Sequence, residues 1–123
     1  MPLIIDHLNL RHLKPPEVWA DLEELLDLSA LPNISVKATC LPAYSAEPYP
    51  FVHTHDTLRR VVDAFGPKRI FWGSDLTRLP VAYEECVRQI TEGLDWLGCE
   101  DKEWVMGRAI STPLGLQTND ERE

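Results

Sequence analysis

The sequence predicts an α/β fold built on a parallel sheet, with its elements in the order β-α-β-α-β-α-α. Short apolar or β-branched runs alternate with longer stretches in which apolar residues recur every three or four positions. Such alternation is typical of parallel strands joined by right-handed helical crossovers. The chain has 123 residues, 44% of them hydrophobic, which is enough for the core of one ordinary domain.

The first half of the chain supplies β-α-β. Residues 2–6, PLIID, form a short apolar strand that ends before the polar His7. Pro15 and Pro16 begin an amphipathic helix with acidic residues in its first turns, where the helix dipole favours them, and LPN at 31–33 ends it. The β-branched run ISVKAT, 34–39, is the second predicted strand.

A proline-rich loop of about 16 residues then precedes the second half, and long loops inside a compact domain are often functional. The remaining predicted elements are a helix over 57–65 that Gly66-Pro67 ends, a strand over 69–74, helices over 81–97 and 100–110, and a solvated, frayed acidic tail.

Charge and cysteine content exclude several classes of function. The formal net charge of −8 argues against nucleic acid or an anionic membrane as a partner, because no basic stripe is present to neutralise phosphates. No apolar run approaches the length of a membrane span, and no secretory signal is visible. The three cysteines contain no CxxC pair and indicate free thiols in a reducing compartment, so we expect a cytoplasmic protein.

Candidate functional residues follow the ends of the three strands. His7, the Lys37–Cys40 region and Asp75 each stand at the carboxyl end of a predicted strand, where parallel α/β folds carry their chemistry. We therefore expect them to converge on one rim. Asp75 has two interpretations that the residues leave open: a catalytic carboxylate, or an N-cap or Asx-turn residue.

Other motifs carry less weight. His53-Thr54-His55 has the spacing of two metal ligands on a strand, but it follows three prolines and precedes a helix, which favours a polar helix start. No GxGxxG, GxxxxGK[ST] or GxSxG pattern is present, so dinucleotide binding, a P-loop and a nucleophile elbow have no support.

Residues 49–80, YPFVHTHDTLRRVVDAFGPKRIFWGSDLTRLP, resemble the C-terminal region of the amidohydrolase-2 family of metal-dependent hydrolases, which have a TIM-barrel fold. The matching features are Tyr-Pro-Phe, a helix with paired basic residues, Phe-Gly-Pro-x-Arg, and a strand ending Trp-Gly-Ser-Asp. LIIDHLNL resembles the sixth barrel strand, with Asn9 where glycine is common, and ISVKATCLPAYSAEPYP resembles the seventh. EDKEWVMGRAISTPLGL resembles the closing helix, with Arg108 where asparagine is usual.

This resemblance implies that residues 1–118 are strands six to eight of a (β/α)8 barrel and that 119–123 are a tail. It also implies hydrolysis or decarboxylation of a small carbonyl or carboxylate substrate, with Asp75 as general base and metal ligand. His7 would polarise the carbonyl or shuttle a proton, and His55 would line the pocket. The candidates for binding a substrate carboxylate, each with an equally plausible structural or surface role, are Lys37, Tyr44 and Arg78.

The resemblance implies that the complete enzyme uses a divalent metal, with zinc as the expected ion. Some relatives bind zinc, and others work without a metal. A TIM barrel needs about 250 residues, and the family's first-strand His-x-His or Glu-x-His and its fifth-strand histidine have no counterpart here. We therefore expect the C-terminal portion of a larger enzyme or a truncated gene product, inactive alone. The alternative is a non-catalytic fragment that only folds or self-associates through two open sheet edges.

Overall fold

The computed structural model describes residues 2–9, 22–44, 48–75 and 80–114, with residues 9, 53 and 112–114 described by their backbone alone. Three strands form one sheet: β1 (Leu3–Ile5), β2 (Ile34–Thr39) and β3 (Ile70–Gly73). All pairings are parallel and β2 is central. The predicted α/β class and parallel sheet are confirmed.

Helices connect the strands in the predicted order. The described part of the first helix is short, and the stretch predicted from Pro15 to its start lies outside the described residues. The helices are α1 (Leu22–Asp27), α2 (His55–Phe65), α3 (Tyr83–Thr91), α4 (Cys99–Glu103) and α5 (Ala109–Leu114), with a π-helical segment at Trp104–Arg108. Single 3-10 turns occupy Leu28–Ala30, Leu41–Tyr44, Val52–Thr54 and Pro67–Arg69.

The sheet has two unlike faces, because side chains alternate along a strand. On β2, Ile34, Val36 and Ala38 are buried against the helices. The intervening side chains, Ser35, Lys37 and Thr39, are only partly buried and lie on the opposite face. The core therefore lies between the sheet and its helices. Its largest fully buried aliphatic side chains are Leu8, Leu25, Leu41, Leu58, Ile70, Ile90 and Leu94.

The helix predicted over 81–97 ends earlier, at Thr91. The chain folds back at Gly93, whose N–H contacts the carbonyls of Arg88 and Gln89 at 3.0 and 3.1 Å. A Cβ at Gly93 would lie 2.6 Å from the Gln89 carbonyl oxygen, so this close approach requires glycine. Leu94 continues the apolar spacing that predicted a longer helix, yet it is buried in the core from a position between two turns, at 92–93 and 95–96.

The final helix predicted over 100–110 is a longer composite of α4, the π-helical segment and α5, running from Cys99 to Leu114. The π-helical segment packs Val105 into the core, and its Trp104 ring lies 4.9 Å from the Lys68 Nζ. The acidic tail predicted over 119–123 lies outside the described residues. Within the described ranges, no helix has both the length and the apolar character needed to cross a bilayer.

Candidate active site

The carboxyl ends of all three strands meet at one rim of the sheet, as the strand order predicts. His7 lies two residues beyond β1, Thr39 is the last residue of β2, and Asp75 lies two residues beyond β3. Thr39 Oγ1 is within hydrogen-bonding distance of His7 Nδ1, and His7 Nε2 lies 3.9 Å from Asp75 Oδ2. Residues far apart in sequence are thus brought into one cluster.

Left-handed backbone conformations turn the chain at these strand ends. The φ angles are +48° at His7, +55° at Cys40 and +50° at Asp75. Such conformations cost on the order of 1–3 kcal/mol at non-glycine residues and concentrate at functional sites, with histidine and aspartate among the more tolerant types. The Cys40 N–H donates to the Gly73 carbonyl at 3.1 Å, so the ends of β2 and β3 are held together.

His7 and Asp75 lie close enough for one ligand atom to contact both side chains. Their side chains are 29% and 25% exposed, so both are reachable yet partly shielded. The separation of 3.9 Å is too long for a direct hydrogen bond. An oxygen atom about 2.8 Å from each would nevertheless contact both at once. Asp75 does not cap α3, whose N-cap residue is Ala82. Residues 76–79 lie outside the described residues, so an Asx-turn or a cap in that stretch stays a prediction.

Lys37 lies on the same face of the sheet as Thr39 and pairs with the residue before His7. Its Nζ is 3.0 Å from Asp6 Oδ1, and the Lys37 and Asp6 side chains are 43% and 67% exposed. The hydrogen bond from Lys37, reinforced by its charge, holds the pKa of Asp6 below its usual value. A substrate carboxylate that binds Lys37 would therefore have to share or displace Asp6.

The other predicted substrate-binding residues lie in different environments. Tyr44 is buried in the core, with 1% of its surface exposed. His55 is half-buried at the start of α2, and its Nε2–H donates to the Pro50 carbonyl at 2.8 Å, which anchors the preceding loop. Arg78 lies outside the described residues. Binding roles for these three residues stay predictions.

Two residues of the cluster were not singled out from the sequence. Thr39 lies in the Lys37–Cys40 region but looks like any β-branched residue of the strand. Gly73 pairs with Thr39 in the register of β2 and β3, and a Cβ there would lie 2.9 Å from Thr39 Cγ2. The available signal was the two-residue alternation, which places Thr39 on the same face as Lys37.

The described residues fit only part of a metal centre. His7 and Asp75 offer one nitrogen and one oxygen donor at 3.9 Å, whereas catalytic zinc usually has three protein ligands. Among the described residues, no group of three histidine, cysteine, aspartate or glutamate side chains is close enough to hold an ion. The side chain of His53, the other histidine of the His-x-His pair, lies outside the described residues.

Comparison with known proteins gives a family and a fold. An amidohydrolase family model matches residues 1–109. An amidohydrolase from Burkholderia multivorans, solved with bound zinc, is 22% identical with a TM-score of 0.73, and the match covers 94% of this chain and 44% of that one. A candidate 2-pyrone-4,6-dicarboxylic acid hydrolase from Pseudomonas putida is 20% identical, with a TM-score of 0.71 and coverage of 97% and 45%.

A third structure, amidohydrolase 2 from Bifidobacterium longum subsp. infantis, is 22% identical with a TM-score of 0.52, over 95% of this chain and 41% of that one. The chain thus spans less than half the length of the solved structures it matches. A comparison with curated protein sequences gives no match. The resemblance seen in the sequence is confirmed over most of the chain: the protein belongs to the amidohydrolase family.

Proposed function

We propose that this chain supplies the general base and a carbonyl-polarising histidine of a hydrolase active site. The observation that carries the proposal is the approach of His7 Nε2 to Asp75 Oδ2, 3.9 Å apart on the rim of the sheet. Family membership supports the reaction class. The chain spans under half of the matched structures, so we propose that the remaining residues of such a site lie in the rest of a complete barrel.

The chemistry follows from the two side chains. The Asp75 carboxylate accepts a proton from water as the water oxygen attacks a carbonyl carbon. His7 donates a hydrogen bond to the carbonyl oxygen and stabilises the negative charge that develops there. A divalent metal in the complete enzyme would supply Lewis acidity, with Asp75 as the donor this chain offers.

We propose small carbonyl compounds that carry a carboxylate as the substrate class. Lys37 supports this choice, since its ammonium group lies on the same face as the cluster, one alternate position before Thr39. A matched structure is described as a candidate hydrolase of a pyrone dicarboxylic acid, which belongs to this class. Decarboxylation of such a substrate is the related possibility, and would need no attacking water.

Replacing the Asp75 carboxylate with an amide, beside a matched replacement at a control aspartate, tests the role of Asp75. Lactones and esters with and without a carboxylate would be supplied, with and without zinc, to a completed enzyme that carries this chain and to its Asp75→Asn variant. Loss of a positioned base should lower kcat about 10²–10⁴-fold. The matched control is Asp95→Asn, a change at an exposed carboxylate in a turn. Wild-type turnover by Asp75→Asn would remove Asp75 from the mechanism.

His7→Ala separates a catalytic role from a structural one. In a completed enzyme the proposal expects a fall in kcat with little change in melting temperature, because the His7 side chain is 29% exposed. A large drop in melting temperature with unchanged turnover would instead make His7 a structural residue. Thermal melts and initial rates on the same preparation distinguish the two results.

The second candidate function is association without catalysis. On β1, an outer strand of the described sheet, Leu3 is 50% exposed and Ile4 is 42% exposed. Apolar outer strands template pairing with further strands. We propose that two copies join through this edge, which light scattering after size exclusion can detect. Ile4→Lys should reduce association, and Val52→Lys, at an apolar residue that is 52% exposed away from the sheet, is the control.

The cellular location stays a proposal. None of the three cysteines forms a disulfide, and Cys99 is exposed. An exposed thiol is compatible with a reducing compartment, which supports the cytoplasm. Fractionation of cells that express the protein would test this.

A further inference from the structure

The Thr39 side chain contacts His7 at the rim from the neighbouring strand. Its Oγ1 meets His7 Nδ1 across 32 residues of sequence, and the other ring nitrogen, Nε2, faces Asp75 Oδ2 at 3.9 Å. The imidazole therefore lies between a hydroxyl and a carboxylate. A hydroxyl can donate or accept a hydrogen bond, whereas an ionised carboxylate only accepts.

A neutral imidazole carries one N–H, so the two neighbours cannot be satisfied in every tautomer. With the proton on Nε2, the N–H points toward the carboxylate and Nδ1 accepts from the threonine hydroxyl. With the proton on Nδ1, the Nε2 lone pair faces the negative carboxylate, which is repulsive. We propose that Thr39 is a positioning residue that donates its hydroxyl proton to Nδ1 and so holds His7 as the Nε2–H tautomer.

This inference deepens the proposed function and rests on it for its mechanistic meaning. A histidine held with its proton on Nε2 is a hydrogen-bond donor toward the site, as polarisation of a carbonyl requires. Asp75 then remains the only proton acceptor of the pair during attack by water. Thr39 thus divides the two roles, donor and base, between two side chains that lie 3.9 Å apart.

Gly73 lies beside Thr39 and limits where the threonine side chain can lie. It is the register partner of Thr39, and a Cβ at Gly73 would lie 2.9 Å from Thr39 Cγ2. This distance is too short for two carbon atoms, so an alanine would push the threonine side chain from its place. The chain brings Gly73 to the end of β3, immediately before Ser74 and Asp75. We infer that glycine is needed here to keep the Thr39 hydroxyl on His7.

Nitrogen-15 NMR of the chain with labelled histidine tests the proposal in the absence of substrate. Spectra would be recorded with a chelator at alkaline pH, where imidazole is neutral, and the His7 signals assigned with His7→Asn. The expected wild-type spectrum shows a protonated Nε2 and an Nδ1 resonance shifted upfield by an accepted hydrogen bond. A proton on Nδ1 would overturn the proposal.

Variants at Thr39 separate the hydroxyl from the shape of the side chain. Thr39→Val should move the Nδ1 resonance of His7 downfield, while Thr39→Ser, which keeps the hydroxyl, should leave it near the wild-type position. Thr91→Val is the matched control, because the Thr91 hydroxyl contacts the Val87 carbonyl on an exposed helix turn. An unchanged Nδ1 resonance in Thr39→Val would overturn the proposal.

A double variant tests Gly73. Gly73→Ala should reproduce the downfield shift of Thr39→Val or lower the stability of the chain. Adding Thr39→Ser removes the Cγ2 that the new Cβ would meet, and should restore the wild-type resonance. Failure of this rescue would mean that Gly73 has no part in positioning the Thr39 hydroxyl on His7. A completed enzyme that contains the expected His7 tautomer but shows no turnover would refute the proposed function alone, so the two failures are distinguishable.

Discussion

Arg69 offers the sharpest test of what holds this fold together. Its guanidinium donates to four backbone carbonyls at the end of the sheet opposite the active-site rim. Nε contacts the Phe65 carbonyl at 3.0 Å, at the C-terminus of α2. The terminal nitrogens contact the carbonyls of Leu31, Ile34 and Ser29 at 2.9, 3.1 and 2.9 Å. Arg69→Met keeps most of the side-chain length and removes every one of these donors.

The magnitude follows from the partners that lose a donor. A hydrogen bond to a charged group contributes about 1.5–3 kcal/mol when buried, and four such values would overestimate the total. The Leu31 contact is exposed, and water can replace its donor. The other three are part-buried. At about 1 kcal/mol each they predict a loss of about 2–4 kcal/mol.

Urea unfolding followed by circular dichroism measures this loss. For a small domain with a slope of about 1–3 kcal/mol/M, the midpoint should fall by roughly 1–2 M. Arg69→Lys should recover only part of the lost stability, because an ammonium cannot form the planar fork that reaches separate carbonyls. The control is Arg60→Met, which removes a pair with Glu23 in which both side chains are exposed, and should cost at most about 1 kcal/mol.

The reasoning would be refuted if Arg69→Met matched Arg60→Met in its midpoint with the same slope. Such a result would mean that water replaces the guanidinium at all four carbonyls. A lower slope in Arg69→Met, by contrast, would indicate a change in the surface exposed on unfolding and would require a second probe before any free energy is compared.

Four further predictions address thiol reactivity, the pH dependence of stability and zinc binding. At pH 8, the exposed Cys99 should react rapidly with a thiol reagent, while the buried Cys40 and Cys86 stay protected until the chain unfolds. Burial, with a smaller effect of Cys40, also raises the pKa of Cys86 to about 11. The raised pKa makes stability fall as pH rises from about 9 to 11, which alkaline urea melts can detect in comparison with Cys86→Ala. Asp6 has a lowered pKa, so its stabilisation by Lys37 is present at neutral pH and is lost as pH falls through the carboxylate range. Lys37→Met should remove this pH-dependent part of the free energy of unfolding, which amounts to at most about 1 kcal/mol. Calorimetry should show zinc binding far weaker than that of a full three-ligand site, and stoichiometric tight zinc would require a further ligand.

The sequence by itself determined the class of fold, the family and the rim on which chemistry is expected. The strands were predictable because ISVKAT and RIFWGS are β-branched or apolar runs bounded by turn residues, and such local patterns need no tertiary information. The positions of His7 and Asp75 after two strands followed from the rule that parallel strands share a carboxyl edge. Their approach to 3.9 Å agrees with that rule.

Only the tertiary structure decided where helices stop and which side chains meet. Leu94 keeps helical spacing but lies beyond the end of α3 at Thr91, where the Gly93 N–H donates to the Arg88 and Gln89 carbonyls. Tyr44 reads like a loop residue available to substrate, yet it is buried in the core. Thr39 contacts His7 across 32 residues, and Gly73 is constrained by Thr39 rather than by its own turn. The two contacts of Thr39 join separate segments of the chain. A sequence states the order of residues along the chain but not the distances between such segments.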